Sequence, residues 1–304
     1  MLNDDHFVSV IMPVKDAGRF LRESIESILC QTFTNFELLI TDDGSTDRSS
    51  AILRRYSAQD RRIRMIARIG TGLLVALNEM LVQSRGEFVA RMDADDIAMP
   101  DRLERQVAYL KANPGDLVVG SRVLVVDPDG DPLCEWNPEQ SHEEIDAIHL
   151  EGTRGAVICH PAAMMRRAAV LAIGGYRQQY DPAEDLDLFL RLAERGRVAN
   201  LSSVLLKYRM HPTSVCHTRQ DEQRRAIRAA IVGARERRGL PPVEVPTPEK
   251  APAPTGLGLR ITWAWWALAA GHVSTARKHA LAVLVKSPLS LDSWRLFYCA
   301  ARGY

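Results

Sequence analysis

Paired cysteines are missing from this chain. Its five (Cys30, Cys134, Cys159, Cys216 and Cys299) are scattered, and no two have C-x-x-C spacing. That excludes the common zinc and dithiol motifs, and an odd, sparse count suits a reducing cytosol better than a disulfide scaffold. An excess of one charge is also missing. Lys and Arg number 39 against 38 Asp and Glu, a net of +1, so no global field argues for nucleic acid or an anionic surface as partner. Long apolar runs are absent: Ile261 to Gly271 falls far short of the roughly 20 residues that span a bilayer. The first residues, MLNDDHFVSVIMPV, carry two acids and no basic n-region, unlike a secretory leader. The expectation is a cytoplasmic protein, with peripheral attachment at the inner face of the membrane left open.

What is present is ordinary globular composition, 46% hydrophobic and 25% charged over 304 residues, enough for one large domain or a domain with an appendage. The first hundred residues alternate strand-like and helix-like segments. FVSVIM, FELLIT, RIRMIA and EFVAR read as strands. Between them, Leu21, Ile25, Ile28 and Leu29 form one helical stripe, and Leu73 to Gln83 reads as another helix. Pro100 is placed at the first position of the helix that follows. Such alternation predicts an α/β fold with a mostly parallel central sheet, whose ligands sit at the carboxyl ends of the strands. Beyond it, DLVVGSRVLVVDPDGDPL predicts a strand, a D-P-D-G turn and a return strand, Ala183 to Arg195 a helix, and Val198 to Tyr208 a strand. A basic helix, 216–238, reads as a solvated face. A stretch with six prolines, 239–256, reads as an extended linker. Residues 257–304 predict a small helical hairpin resembling one tetratricopeptide unit. One such unit does not bury its own face and needs a surface to pack on. Its tryptophans, Trp263, Trp265, Trp266 and Trp294, read as packing residues before membrane anchors.

Three acidic clusters stand where strands end or helices begin. Asp42-Asp43 ends FELLIT; the bland reading is turn chemistry, with Ser45 or Thr46 capping the next helix. In RMDADDIAMPDRL, Asp93, Asp95 and Asp96 lie within four positions. Carboxylates this close raise one another's pKa, and a hard divalent cation relieves the conflict. The alternative is that Asp95 or Asp96 caps the Pro100 helix while the others face water. Glu184-Asp185 opens a helix, where acids are favoured by the dipole, or supplies a general base.

In order and together, VSVIMPVKDAGRFLRESIESILCQTFTNFELLITDDGSTDRS, GEFVARMDADDIAMPDRL, HPAAMMRR, GGY and AEDLDLFLRL resemble family 2 glycosyltransferases over about residues 7 to 215. The resemblance implies the GT-A nucleotide-sugar-binding fold, inversion at the anomeric carbon, and Mn²⁺ or Mg²⁺. It implies a domain over 1–215, about 1–110 binding the nucleotide and 111–215 serving the acceptor. By that likeness Pro13, Val14 and Asp43 line the nucleobase pocket, and Asp95 binds the metal on the donor pyrophosphate. Asp93 serves nucleotide and metal, and Asp96 supports them. Asp185 is the catalytic base with Glu184 beside it, and His160 lies in a block next to the acceptor side. YRMH matches a segment that closes over the donor phosphates, making Arg209 and His211 candidates there. One departure is Asp16, where Asn is commoner; Asn78 is kept. No Q-x-x-R-W block or spanning helix accompanies these motifs, unlike processive synthases.

The implied partners are a nucleoside diphosphate sugar and a saccharide, lipid-linked or protein acceptor, with no nucleic acid. The tail adds a candidate contact to membrane or protein. Two other readings compete. A sugar-phosphate nucleotidyltransferase would carry a glycine-rich basic loop after the first strand, where this chain has PVKDAGRF with only Gly18. A non-catalytic nucleotide-binding scaffold would have no need of Asp43, Asp95 and Asp185 together.

Overall fold

The structure is a computed structural model and describes residues 8–68, 70–152, 155–212, 219–243 and 256–303. Most of the proline-rich stretch expected as a linker, and Cys216, lie outside the described residues. The chain forms two units. One comprises Met1–Arg122, Pro138–Leu206 and Asp221–Thr247; the other comprises Val123–Asn137, Lys207–Gln220 and Pro248–Tyr304. The basic helix thus belongs to the first unit and the helical tail to the second.

In the first unit β1 (Val8–Val14), β2 (Phe36–Asp43), β3 (Ile63–Arg68) and β4 (Phe88–Arg91) are the four strands anticipated from alternation. They alternate with α1 (Leu21–Leu29), α2 (Ser49–Gln59) and α3 (Leu73–Gln83). β1 lies parallel between β2 and β4, and β3 is parallel on β2. Nearly every residue of β1 and β2 is buried, as expected of strands covered on both faces. The full order is β3-β2-β1-β4-β8-β6-β9-β5. Here β5 is Ile97–Ala98, β6 Asp116–Val126, β8 Met164–Arg166 and β9 Arg197–Arg209; β7 (Pro132–Trp136) pairs with β6. β8 runs antiparallel to both β4 and β6. Pairing of Val14 with Asp42, and of Ile11 with Arg91, brings the carboxyl ends of β1, β2 and β4 to one edge of the sheet. The acidic clusters at the ends of β2 and β4 therefore stand at the same edge, on either side of β1.

Two sequence expectations fail here for local reasons. Pro100 is not the first residue of its helix: α4 spans Arg102–Ala112 with Asp101 at the N-cap, and β5 intervenes. The loop from Asp93 to Leu103 is instead gripped by α1 and the turn after it. Ser24 Oγ donates to the Asp93 carbonyl (2.8 Å), and Ser27 Oγ accepts from the Ala98 amide (3.0 Å). Gln31 bonds the Met99 carbonyl and the Leu103 amide. Backbone groups withdrawn from water need such partners, and the helical register of α1 supplies them. Nor does Ser45 or Thr46 cap α2. The N-cap is Arg48, and Asp47 accepts from the Ser49 amide at 2.8 Å.

Helix α5 (His142–Glu151) was not anticipated. Ser141 and Glu144 close a capping box at its start, but only Ile145 and His149 are buried, so its apolar period is faint. After α6 (Arg167–Ala172) and α7 (Glu184–Ala193) comes the basic helix, α8 (Gln220–Arg237). It is not simply solvated. Ala230, Ile231 and Ala234 pack on Tyr180, Leu186 and Leu190, and Arg237 and the adjacent Arg238 pair with Glu194 and Asp146. Alanine faces allow that close approach while leaving little hydrophobic signal in the sequence.

The second unit contains the β6–β7 turn and α9 (Gly256–Ala269), α10 (Val273–Lys286) and α11 (Leu291–Arg302). Val125 and Leu133 of the hairpin share one core with Trp263, Ala267, Val283 and Leu296. The hairpin is thus the surface on which the tail buries its apolar face. Polar contacts fix the register. Lys278 Nζ meets Asp127, Asp129 and Asp131 at 2.6, 2.8 and 2.6 Å, and His279 Nε2 meets Asp127 at 2.9 Å. Among the described residues no helix is long and apolar enough to cross a membrane.

Asn78 of α3 closes a different joint. Its side chain donates to the Tyr176 carbonyl and accepts from the Tyr176 amide, both at 2.8 Å. Asn78→Ala should lower stability by about 1–3 kcal/mol, the cost of leaving buried partners unmet, measured as a lower denaturant midpoint with unchanged slope. Burial alone would raise the Asp127 pKa, but His279, Lys278 and the amides of the turn outweigh it and hold the carboxyl well below the usual range. A depressed carboxylate stabilises above its unfolded pKa, near 4, and that stability is lost as pH falls. Asp127→Asn should therefore cost about 3 kcal/mol at neutral pH, with the difference from the parent narrowing in acid melts.

Candidate active site

The loops after β1 and β2 are knitted together. Asp16 adopts a left-handed φ of 49°, and its Oδ1 accepts from the Thr46 amide at 2.7 Å and the Asp47 amide at 3.3 Å. Asp and Asn both tolerate that backbone region, and both offer the acceptor oxygen. The loop geometry therefore does not require the commoner Asn. Pro13 and Val14 end β1 beside Thr41 and Asp42. Asp43 is buried at the end of β2 and accepts from the amides of Thr71 (2.6 Å) and Gly72 (2.9 Å). It thus fixes the turn that opens α3, and Gly72, with φ of 92°, makes that turn feasible. Asp42 is raised by burial, yet bonds from Ser50 and Ser45 leave it below its ordinary pKa.

After β4 the carboxylates of Asp93, Asp95 and Asp96 converge, with one oxygen from each within 4.8 Å of the others. Asp96 is buried and the other two are half-buried. None serves as the cap of α4, whose N-cap is Asp101. Hard oxygen donors in this number suit Mg²⁺ or Mn²⁺, so the residues fit the ion that the resemblance implies. Beneath them lies Arg91, a buried cation whose Nη2 pairs with Asp93 Oδ1 at 2.6 Å. Its Nε and Nη1 are buried without a hydrogen-bond partner. Arg102 is fully buried as well and donates to the Arg91 carbonyl at 2.7 Å; burial drops its pKa to about 10. Burial raises the Cys159 thiol well above its usual value, helped by Asp96 and Asp93, so this thiol stays protonated and is no nucleophile.

The first turn of α7 carries buried Glu184 and half-buried Asp185. Burial raises both carboxyls; Asp185 raises Glu184 further, to about 7, and Asp93 adds to Asp185. Arg91 pulls both down, and the Leu186 amide, donating to Asp185 Oδ1 at 2.8 Å, favours its charged form. Arg91 therefore lies within electrostatic reach of the acidic cluster and of the α7 acids alike. The Tyr176 hydroxyl faces the same charges: burial raises its pKa, Arg91 opposes, and Glu184, Asp185 and Asp93 raise it again. It lies 2.7 Å from His160 Nε2, and burial keeps that imidazole neutral. Asp93, His160, Glu184 and Asp185 are thus gathered about Arg91 and Tyr176. Asp187, one turn along α7, is structural, bonded by Arg177 and Arg191.

Arg209 and His211 belong to the second unit. Arg209 is buried and donates to the Pro128 carbonyl at 3.0 Å. Sequence reasoning assigned no role to Arg91 or Tyr176. The signal was there for the first: a charged residue closes an otherwise apolar strand immediately before three acids.

The model of the family described as glycosyl transferase family 2 matches residues 9–174. EpsE of Bacillus subtilis (strain 168), named as a glycosyltransferase, is 38% identical over 213 residues, 68% of this chain and 74% of that protein. The O-antigen biosynthesis glycosyltransferase WbnJ of Escherichia coli is 32% identical over 211 residues, covering 68% and 81%. Among solved structures, S. aureus TarS 1-349 in complex with UDP superposes with a TM-score of 0.57 at 18% identity, over 98% of this chain and 92% of that one. Mannosyltransferase PcManGT from Pyrobaculum calidifontis, in complex with GDP-Man and Mn²⁺, gives 0.57 at 19% identity, over 99% and 81%. Those two share the fold, the GT-A arrangement expected from the sequence. With the family model spanning more than half its length, and with relatives such as EpsE, the chain belongs to glycosyl transferase family 2.

Proposed function

We propose that this glycosyltransferase moves one sugar from a nucleoside diphosphate sugar to an acceptor hydroxyl with inversion, in the synthesis of a surface polysaccharide or glycoconjugate. The observation that carries the reading is the pairing of two acidic ends across Arg91. One is a three-carboxylate cluster suited to a divalent ion, and the other is a carboxylate pair with raised proton affinity. WbnJ, named for O-antigen biosynthesis, supports the pathway class.

Asp95, with Asp93, would hold Mn²⁺ or Mg²⁺, and Asp96 supports them from its buried position. The ion, when bound, supplies positive charge against the departing diphosphate. Pro13, Val14 and Asp43 receive the nucleobase at the carboxyl edge of β1 and β2. Asp185 accepts the proton of the acceptor hydroxyl as its oxygen bonds the anomeric carbon and the nucleoside diphosphate leaves. Its raised pKa makes it a stronger base than an exposed aspartate. Burial raises that pKa, Asp93 adds to it and Arg91 opposes; Glu184 stands beside the base. His160, neutral and tied to Tyr176, offers a hydrogen-bonding edge on the acceptor side. The assignment of Arg209 and His211 to the donor diphosphate rests on the YRMH segment alone.

Transfer assayed with UDP- and GDP-sugars and Mn²⁺ or Mg²⁺ should lose about 10²–10⁴-fold in kcat/KM on Asp95→Ala or Asp185→Asn. Full activity in either variant would contradict the assigned roles, and loss of activity with a chelator should be reversed by the ion. The base works only when deprotonated, so kcat/KM should rise with pH through a midpoint above the ordinary carboxylate value of about 4. A limb at or below that value would remove Asp185 as the base.

A further inference from the structure

At the free end of the helical tail, the turn joining α10 to α11 presents large apolar side chains to water. Val285 is 72% exposed, Leu289 98%, Leu291 86% and Trp294 52%. Val285 stands in the last turn of α10, Leu289 in the turn, and Leu291 and Trp294 in the first turn of α11, so they form one tip. The buried face of α11 is Ser293, Leu296 and Ala300. At helical spacing Leu291, Trp294, Arg295, Tyr298 and Arg302 lie on the opposite side, so the tip continues into a stripe where aromatic and basic residues alternate. Arg302 sits over the Tyr298 ring, with its guanidinium carbon 5.4 Å from the centroid. The Trp294 indole N–H is already satisfied, donating to the Pro288 carbonyl at 2.8 Å. Its ring therefore leaves water without stranding a donor.

Charge selects the occupant. Exposed Lys286, Arg295 and Arg302 stand along the tip and stripe against exposed Asp292; Arg277 is committed to the Ala300 and Ala301 carbonyls, and Lys278 is bound by the three aspartates of the hairpin turn. A second copy of the chain would bring like charges together at the same tip. Exposed apolar residues of this kind, bordered by cations and an interfacial tryptophan, suit the headgroup–acyl boundary of an anionic bilayer. We propose that the α10–α11 tip and the outer stripe of α11 dock this protein on the surface of anionic phospholipid membranes. This goes beyond the sugar-transfer reading and does not depend on it.

The test is co-sedimentation of the full chain with vesicles of phosphatidylcholine alone and of phosphatidylcholine with phosphatidylglycerol. The protein should sediment with the anionic vesicles and remain in solution with the neutral ones, and salt should weaken the binding. Leu289→Ser with Leu291→Ser should weaken it about tenfold or more, two exposed leucines being removed from the interface. Lys286→Glu with Arg295→Glu should weaken it as strongly. All four residues are exposed, so circular dichroism and thermal unfolding should match the parent. Failure of the parent to bind anionic vesicles, or unchanged binding by both double variants, overturns the proposal. So does parent self-association abolished by the leucine variant without vesicle binding, which would make the tip a contact between copies.

Discussion

The Arg91–Asp93 contact is the constraint on which the site depends. A guanidinium withdrawn from water is costly unless paired, and here the pairing acid belongs to the three-carboxylate cluster. Three carboxylates within 4.8 Å repel one another; near a protein surface two unit charges about 4 Å apart cost on the order of 4 kcal/mol. Arg91 offsets part of that repulsion from below, and an ion suits the solvent side. The same guanidinium lowers the proton affinity of Glu184 and Asp185, which burial raises. One buried cation thus tempers both acidic ends. The geometry reaches it by simple means: β4 ends at Arg91, the next residues leave the sheet, and α1 pins them through Ser24, Ser27 and Gln31.

The second support is the turn around Tyr176. Asn78 fixes its backbone from α3, and Tyr176 in turn meets His160. A residue of α3 thereby sets the position of a histidine near the α7 acids. None of these contacts involves titration at neutral pH: His160 is kept neutral and Tyr176 protonated by burial. They act as scaffolding around carboxylates whose protonation is the variable quantity.

Much of this was legible in the sequence, for reasons that can be traced. The helix α3 and the strands β1 to β4 announce themselves by period and by runs of buried apolar residues. Asp43, Asp95 and Asp185 came from ordered blocks shared with a family, since each acid alone had an adequate local explanation. The partner of an acid was not legible. That Arg91 pairs with Asp93, or Lys278 with the D-P-D-G turn, depends on side-chain direction after folding. Nor was the packing of α8, whose alanines give little hydrophobic contrast, or the start of α4, where Pro100 and Asp101 form a turn and the helix begins at Arg102. Pattern reading fails where small residues pack or where polar side chains decide a boundary.

The central claim is that the cluster after β4 serves the donor diphosphate while Asp185 serves the acceptor. The most direct measurement is a crystal structure with UDP and Mn²⁺, with anomalous scattering used to locate the ion. The account predicts manganese bound at the Asp95 carboxylate and bridging to the diphosphate, with the base beside Pro13, Val14 and Asp43. Manganese bound away from Asp95, or a nucleotide seated elsewhere, would contradict it.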